Sequence, residues 1–360
     1  MSTKNILAIN PGSTSTKIAL FALDTLEVVF EHTLRHSSEE IGKFHHIIDQ
    51  IDWRKELVMK ELSDNNCALE DLAAVVGRGG LVKPIAGGVY EVNDTLYEDT
   101  RNAHREHACN LGALIARSIA RKAGDDVKSY IVDPVVVDEM EDVARISGHP
   151  LFPRMSMFHA LNARATALRY AKESGRAYDD LNLVVAHMGG GISVSVHKQG
   201  RIVDTTNAIS GDGCFSPERA GRVEPMALAE ACFSGDYTLD EIQRELIGGG
   251  GLVAHLGVNS MYDVVQASLA GDEKAAMIVE AFCYNIAKDI AAMSSVLRGD
   301  VDAILVTGGI AYSDVISQKI TDMVEWITTV VVYPGENELE ALAGSVRDVI
   351  NGNQVAKIYV

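Results

Sequence analysis

The chain has 360 residues, 47% hydrophobic and 23% charged, and its 32 basic against 50 acidic side chains leave a net charge of −18. That length suggests two domains of ordinary size, and the composition a well-packed globular protein. The acidic balance excludes a nucleic-acid backbone or an anionic membrane as the main partner, so a small anionic substrate would need a local basic site.

Short apolar runs predict strands over 6–9, 18–23 and 27–33. A helix is expected over 37–65, a buried strand over 73–76 that stops at Gly77-Arg78-Gly79-Gly80, a helix over 102–123 and a strand over 130–132 that stops at Asp133-Pro134. Pro150 and Pro153 mark a boundary before a helix over 156–174. A second start follows, with strands over 183–186, 192–197 and 201–205 in the same strand, polar turn, strand, turn, strand order as the first 33 residues. We read this as a duplication of architecture without duplication of sequence. Helices are expected over 226–233, 239–246, 261–269, 272–297 and 338–351, and strands over 303–307 and 330–332. The fold class is therefore α/β, with ligands expected where strands end.

Five cysteines, at 67, 109, 214, 232 and 283, form no CxxC pair, which predicts reduced, mostly buried thiols and a cytoplasmic setting. Pro11 interrupts the first apolar run, so no signal peptide is expected. No uncharged apolar stretch approaches the about 18 residues of a membrane span.

Three strand ends carry groups suited to phosphate. The first, Asn10-Pro11-Gly12-Ser13-Thr14-Ser15-Thr16-Lys17, combines a small-residue loop, hydroxyl donors and a lysine, the ingredients of an anion nest with a point charge beside it. The second is His187-Met188-Gly189-Gly190-Gly191 and the third Gly308-Gly309. A single such loop is as readily a plain glycine turn, but two of these occupy equivalent places in the repeat. Neither GxxxxGK[ST] nor a GxGxxG after a strand occurs. The tetraglycine Gly248–Gly251 is expected to be a mobile connection.

The segments NPGSTSTKIALF, VVAHMGGGISVSV, SGDGCFSPERAGRVEP and ILVTGGIA occur in this order. Together they resemble the acetate kinase–butyrate kinase family of the acetate and sugar kinase, heat-shock chaperone and actin superfamily, from residue 5 to about 345. The Asn-Pro-Gly loop and the 360-residue length are most similar to the butyrate kinase branch. The resemblance implies a duplicated actin-like (ribonuclease H-like) fold of two domains around a cleft. One domain, 1–152 plus 341–360, would carry the carboxylate side and the first phosphate loop, and the other, 153–340, the nucleotide. It also implies ATP/ADP and Mg²⁺ as cofactors, a homodimer or higher homo-oligomer, and reversible in-line transfer of the ATP γ-phosphoryl group to butyrate or a branched short-chain acid.

A carboxylate nucleophile is already ionised, so such a reaction needs cations and positioning more than a general base. Arg78 follows a buried strand and precedes two glycines, and Arg219 lies in SPERAGRVEP. Either arginine alone could be a surface ion pair, but the resemblance makes them a clamp on carboxylate and phosphoryl, with Arg222 a lesser neighbour. It makes His159 a transition-state histidine, His187 one facing the ATP phosphates, and Asp133 the aspartate that holds the cationic side chains and a metal-bound water. Glu338 would be the Mg²⁺-associated acid, with Glu336 and Glu340 as alternatives in register. Asn10, Ser13, Ser15, Lys17, Gly189, Gly190, Gly191, Gly308 and Gly309 complete the phosphate contacts. His104 and His107, three apart on an expected helix, read as a solvated face and not as metal ligands.

Gly80, Phe158 and Ser210 are the expected acyl pocket. Relative to acetate kinases, Gly80 and Ser210 remove bulk, which predicts room for a longer acid at about 0.8 kcal/mol per buried CH₂. Around Ser260, Met261 and Tyr262 the usual acidic and basic adenine contacts are missing, so Tyr262 is expected against the ring. The alternatives are an acetate or propionate kinase, a sugar kinase of the same superfamily with Asp133 as base, and a non-enzymatic actin-like ATP switch.

Overall fold

In the computed structural model, which describes residues 4–209 and 211–360, the chain forms two compact units. The first runs to Val137 and regains the chain at Asn337–Val360; the second is Asp138–Glu336.

The first unit is built on a six-stranded sheet of β1 (Asn5–Pro11), β2 (Ser15–Ala22), β3 (Val28–Arg35), β4 (Leu72–Arg78), β5 (Val89–Glu91) and β6 (Lys128–Val132). Its order is β3-β2-β1-β4-β6-β5. The first three strands form an antiparallel meander, while β4 lies parallel to β1 and β6 parallel to β4. Ile6, Leu7, Ala8 and Ile9 are all fully buried, because β1 is covered on both faces, as a central strand requires. Helices Asn110–Ala123 and Glu338–Ile350 pack against the sheet.

In the second unit β7 (Asn182–Met188), β8 (Ile192–Lys198), β9 (Arg201–Thr205), β10 (Ala303–Gly308) and β11 (Val330–Pro334) follow the order β11-β10-β7-β8-β9. Here too an antiparallel meander is extended by two parallel strands. The inferred duplication thus covers five strands of each sheet, with the edge strand β5 an addition to the first, and the two polar hairpins, β1–β2 and β7–β8, are equivalent.

Several elements differ from the periodicity. The expected helix over 37–65 is broken into Ser38–Ile41, a turn at Ile47–Gln50 and the helix Ile51–Asp64. Ser37 and Glu40 cap the first piece reciprocally and Gly42 ends it. The expected helix over 102–123 begins only at Asn110, so His104 and His107 lie in a loop and share no helical face. Helices Asp94–Arg101, Leu252–Leu256 and Asp314–Val324, and the three-residue β5, were not expected. The chain changes unit at Val137/Asp138, ahead of Pro150 and Pro153, and returns at Glu336/Asn337. The stretch between 138 and 158 is fastened within the second unit. Glu141 N–H donates to Val203 O at 2.9 Å, and Arg154 reaches Asp204 at 2.9 Å and Asp212 at 2.6 Å.

Candidate active site

In the first unit, candidate residues gather at the ends of β1 and β4. Asn10, buried at the end of β1, donates from Nδ2 to Glu338, and Arg78, at the end of β4, donates from Nη1 to the other oxygen of the same carboxylate. Glu338 is buried in the first turn of its helix, whereas Glu340 is exposed. Asp133 follows β6 in a left-handed conformation (φ 37°), a strain held here by two contacts with Gly88. Asp133 Oδ1 accepts from Gly88 N at 2.7 Å, and Asp133 N donates to Gly88 O at 3.1 Å.

Between β1 and β2, Gly12 N donates to Ser15 O at 2.8 Å. Ser13 and Lys17 are exposed and Ser15 half-buried. Beneath this hairpin lies Arg54, 1% exposed, which sequence reasoning missed. Its signal was present: Gln50, Arg54, Val58 and Leu62 are all buried at four-residue spacing, which puts an arginine on an apolar helical stripe.

Gly80 leaves no acyl space, contrary to expectation. A Cβ there would lie 2.6 Å from Asn110 Oδ1 and 2.7 Å from Asn110 Cα. The buried Asn110 fills the volume and accepts from Leu81 N at 2.8 Å. The glycine serves close approach. Phe158 is buried in the second unit, and Ser210 lies outside the described residues.

In the second unit, His187, next to last in β7, has its ring 4.0 Å from that of His159, stacked at 22°. His159 Nδ1 lies 2.9 Å from Ser193 Oγ on β8. His187 Nε2 lies 3.2 Å from Glu336, while its buried Nδ1 has no partner among the described residues. Glu336 and Glu338 therefore serve different units, which sequence register could not separate.

The Gly189–Gly191 turn is closed by Gly189 N donating to Gly191 O at 3.0 Å. Arg219 lies against it, since a Cβ on Gly191 would meet Arg219 Nη1 at 1.9 Å. That same Nη1 donates to Ala208 O at 2.6 Å, and Ser216 Oγ to Gly190 O at 2.8 Å, which ties the arginine loop to the glycine turn. The tetraglycine is not a loose connection. Gly248 N donates to Glu218 O at 2.7 Å and Arg219 bridges to Ile247, so the glycines support the Arg219 loop. Arg222 instead pairs with buried Asp289 at 2.7 Å, whose other oxygen accepts from Cys214 N at 2.8 Å. Burial pushes the Asp289 carboxyl up against the opposing pull of Arg222, so Arg222 anchors the loop.

Gly308 (φ 95°) lies against Met188 O, and nothing stands within 4 Å of a Cβ placed on Gly309, which leaves its backbone open. Ser260 caps the helix Met261–Leu269; Met261 is buried in the core and Tyr262 is 70% exposed, so of these two only Tyr262 is available at the surface. Among the described residues no group of three or more His, Cys, Asp or Glu gathers as a metal site. The oxygen donors Glu338 and Asp133 fit Mg²⁺, which takes one or two carboxylates and keeps waters.

Two sheets that share a five-strand order, each with a polar hairpin between its first two strands, define the duplicated actin-like α/β class. Accordingly, the chain superposes on the acetate kinase of Porphyromonas gingivalis with a TM-score of 0.80, covering 97% of this chain and 100% of that one at 19% identity, a likeness of fold. The model of the acetokinase family matches residues 153–351. Over 355 residues the chain is 51% identical to butyrate kinase 2 of Clostridium acetobutylicum, spanning 98% of this chain and 99% of that protein. It is 50% identical over 357 residues to a probable butyrate kinase of Clostridium botulinum, with the same coverage. The chain belongs to the acetokinase family.

Proposed function

We propose that the chain is a short-chain fatty acid kinase that transfers the γ-phosphoryl group of ATP to butyrate or a branched short-chain acid, giving an acyl phosphate and ADP. The observation that carries this is the 51% identity to butyrate kinase 2 along nearly the whole of both chains. The fold and the cationic strand ends support it.

In this reading the acid's ionised oxygen attacks the γ-phosphorus in line, the bond to the ADP oxygen breaks, and no general base is required. Asn10, Ser13, Ser15 and Lys17 bind phosphoryl oxygens in the first unit. The His187–Gly191 hairpin and Gly308-Gly309 hold the nucleotide phosphates in the second. Arg78 and Arg219 match charge developing on carboxylate and phosphoryl as planar forks, and His159 adds a donor. Glu338 and Asp133 would hold Mg²⁺, largely through water. When bound, the ion would supply positive charge against that of the phosphates.

The helix Pro225–Phe233 has no buried residue; Met226 is 64% and Phe233 91% exposed. So apolar a surface supports a homodimer. The five free cysteines accord with the cytoplasm.

Trapping with hydroxylamine tests the reaction, because hydroxamate forms only from an acyl phosphate. Butyrate plus ATP should give hydroxamate. Arg78→Ala and Arg219→Ala should each lower kcat by roughly 100-fold or more. ADP release that depends on glucose, without hydroxamate, would transfer the protein to the sugar kinases. Across acetate, propionate, butyrate and isobutyrate, kcat/KM should peak at four carbons. Acetate as best substrate would refute the chain-length reading.

A further inference from the structure

The hairpin Gly12–Ser15 sits on a cation that no carboxylate among the described residues pairs with. Arg54 Nη1 donates to Gly12 O at 2.8 Å, Ser15 O at 3.0 Å and Thr16 Oγ1 at 3.1 Å. Its Nη2 donates to Ser13 O at 3.3 Å and Gln50 Oε1 at 2.8 Å, and its Nε to Gln50 Oε1 at 3.0 Å. The remaining loop carbonyl, that of Thr14, accepts from His36 N at 2.9 Å. All four carbonyls from Gly12 to Ser15 are therefore engaged by the protein, three of them by one guanidinium.

The hydrogen-bond partners of Arg54 are all neutral oxygens, its guanidinium also lies over the Trp53 ring at 5.9 Å, and among the described residues it makes no ion pair. Buried guanidinium groups are ordinarily matched by a carboxylate. Burial lowers its pKa to about 10, which leaves it charged at neutral pH. His36, whose Nε2 lies 2.8 Å from Thr16 Oγ1, is pushed down from its ordinary value by burial and by Arg54. It therefore adds no competing charge at neutral pH.

We propose that Arg54 is a positioning residue for phosphate: from beneath the hairpin it turns the carbonyls of Gly12, Ser13 and Ser15 away from an arriving anion and places an uncompensated positive charge behind the loop. The inference rests on reading Asn10–Lys17 as a phosphate loop. The neutral partners belong to the function, because a carboxylate in their place would bind the guanidinium equally well and cancel its field.

Gln50→Glu is the sharp test. It retains the acceptors for Nε and Nη2 and supplies the missing negative charge. In the full chain, the affinity for ATP without acid, measured by titration calorimetry, should weaken about fivefold or more at low salt, with a smaller loss at high salt. The melting temperature should hold or rise, and the KM for butyrate should stay within about twofold. A merely structural Arg54 predicts the opposite, a stable Gln50→Glu protein that binds ATP as the native chain does, and that result overturns the proposal. Should Gln50→Glu fail to fold, Arg54→Lys decides. It keeps the charge but cannot make the planar fork, and native ATP affinity in it overturns the proposal as well. If the native chain binds ATP but makes no hydroxamate, the acid-kinase reading falls while the Gln50→Glu comparison still judges Arg54. A native chain that does not bind ATP overturns both.

Discussion

Arg219 keeps its place because residue 191 has no side chain. The guanidinium occupies the space of a Cβ, 1.9 Å from Nη1, while bonded to Ala208 O. The obstructing atom is the far end of a flexible side chain, so Gly191→Ala displaces the arginine and spares the strands. We expect kcat to fall about tenfold or more through misplacement of a cation, with a melting temperature shifted by only about 2 °C. Unchanged kcat would show that Arg219 has no role at that turn. The residues legible in the sequence were those at strand ends, Asn10, Arg78, Asp133 and His187. An apolar run that stops at a polar residue marks that residue whatever the tertiary fold. Their partners were not legible, because Glu338 reaches Asn10 across 328 positions and Glu336 and Glu338 are indistinguishable in composition. Gly80 shows the opposite failure. A sequence reveals that a side chain is missing but not that a neighbour, here Asn110, already fills the gap.

At the level of elements, β4 and the helix Asn110–Ala123 approach through paired glycines. A Cβ on Gly77 would lie 2.1 Å from Gly112 O, and one on Gly112 would lie 2.2 Å from Arg78 O. This contact brings the start of the helix beside the strand end that carries Arg78. Here the obstacle is backbone, which cannot swing aside, so Gly77→Ala should destabilise by about 1–3 kcal/mol or more. Urea unfolding measures it, and a variant as stable as the native chain would mean that the helix can slide freely. The elements best legible were those with buried runs of at least four residues, such as 6–9 and 183–186. The three-residue β5 is too short for any period. The 37–65 helix was overextended because its polar and apolar residues keep helical spacing through a stretch where Gly42 ends the first piece.

Over the whole molecule, the duplicated order was legible because both halves repeat one succession of strands and turns. The point at which the chain changes unit was not, since Glu139 and Glu141 bond to Ile202 and Val203, some sixty positions away, and so join the stretch ahead of the prolines to the second unit. Each unit also buries a neutral imidazole in its sheet region, and this gives the protein a common response to acid. His197 is fully buried, with Tyr178 OH 2.8 Å from Nδ1 and Ser195 Oγ 3.0 Å from Nε2. Burial, helped by the Arg164 charge, pushes its pKa down to about 3; His36 is lowered in the same sense. Above pH 6.5 both folded and unfolded chains hold neutral imidazoles. As the pH falls through 6.5 the unfolded chain takes up a proton at residue 197 while the folded chain does not, and His36 acts in the same direction. The unfolded state then binds more protons, and stability declines, for His197 over the range from about 6.5 to about 3. One such proton contributes about 1.4 kcal/mol per pH unit, which for His197 makes about 2 kcal/mol between pH 6.5 and 5. His197→Gln keeps a polar side chain that cannot titrate. Although less stable at pH 7.5, it should lose less stability than the native chain between pH 6.5 and 5 in urea unfolding, by about that 2 kcal/mol. Comparing the two proteins cancels the carboxylates common to both, so parallel curves would show that His197 does not stay neutral in the fold.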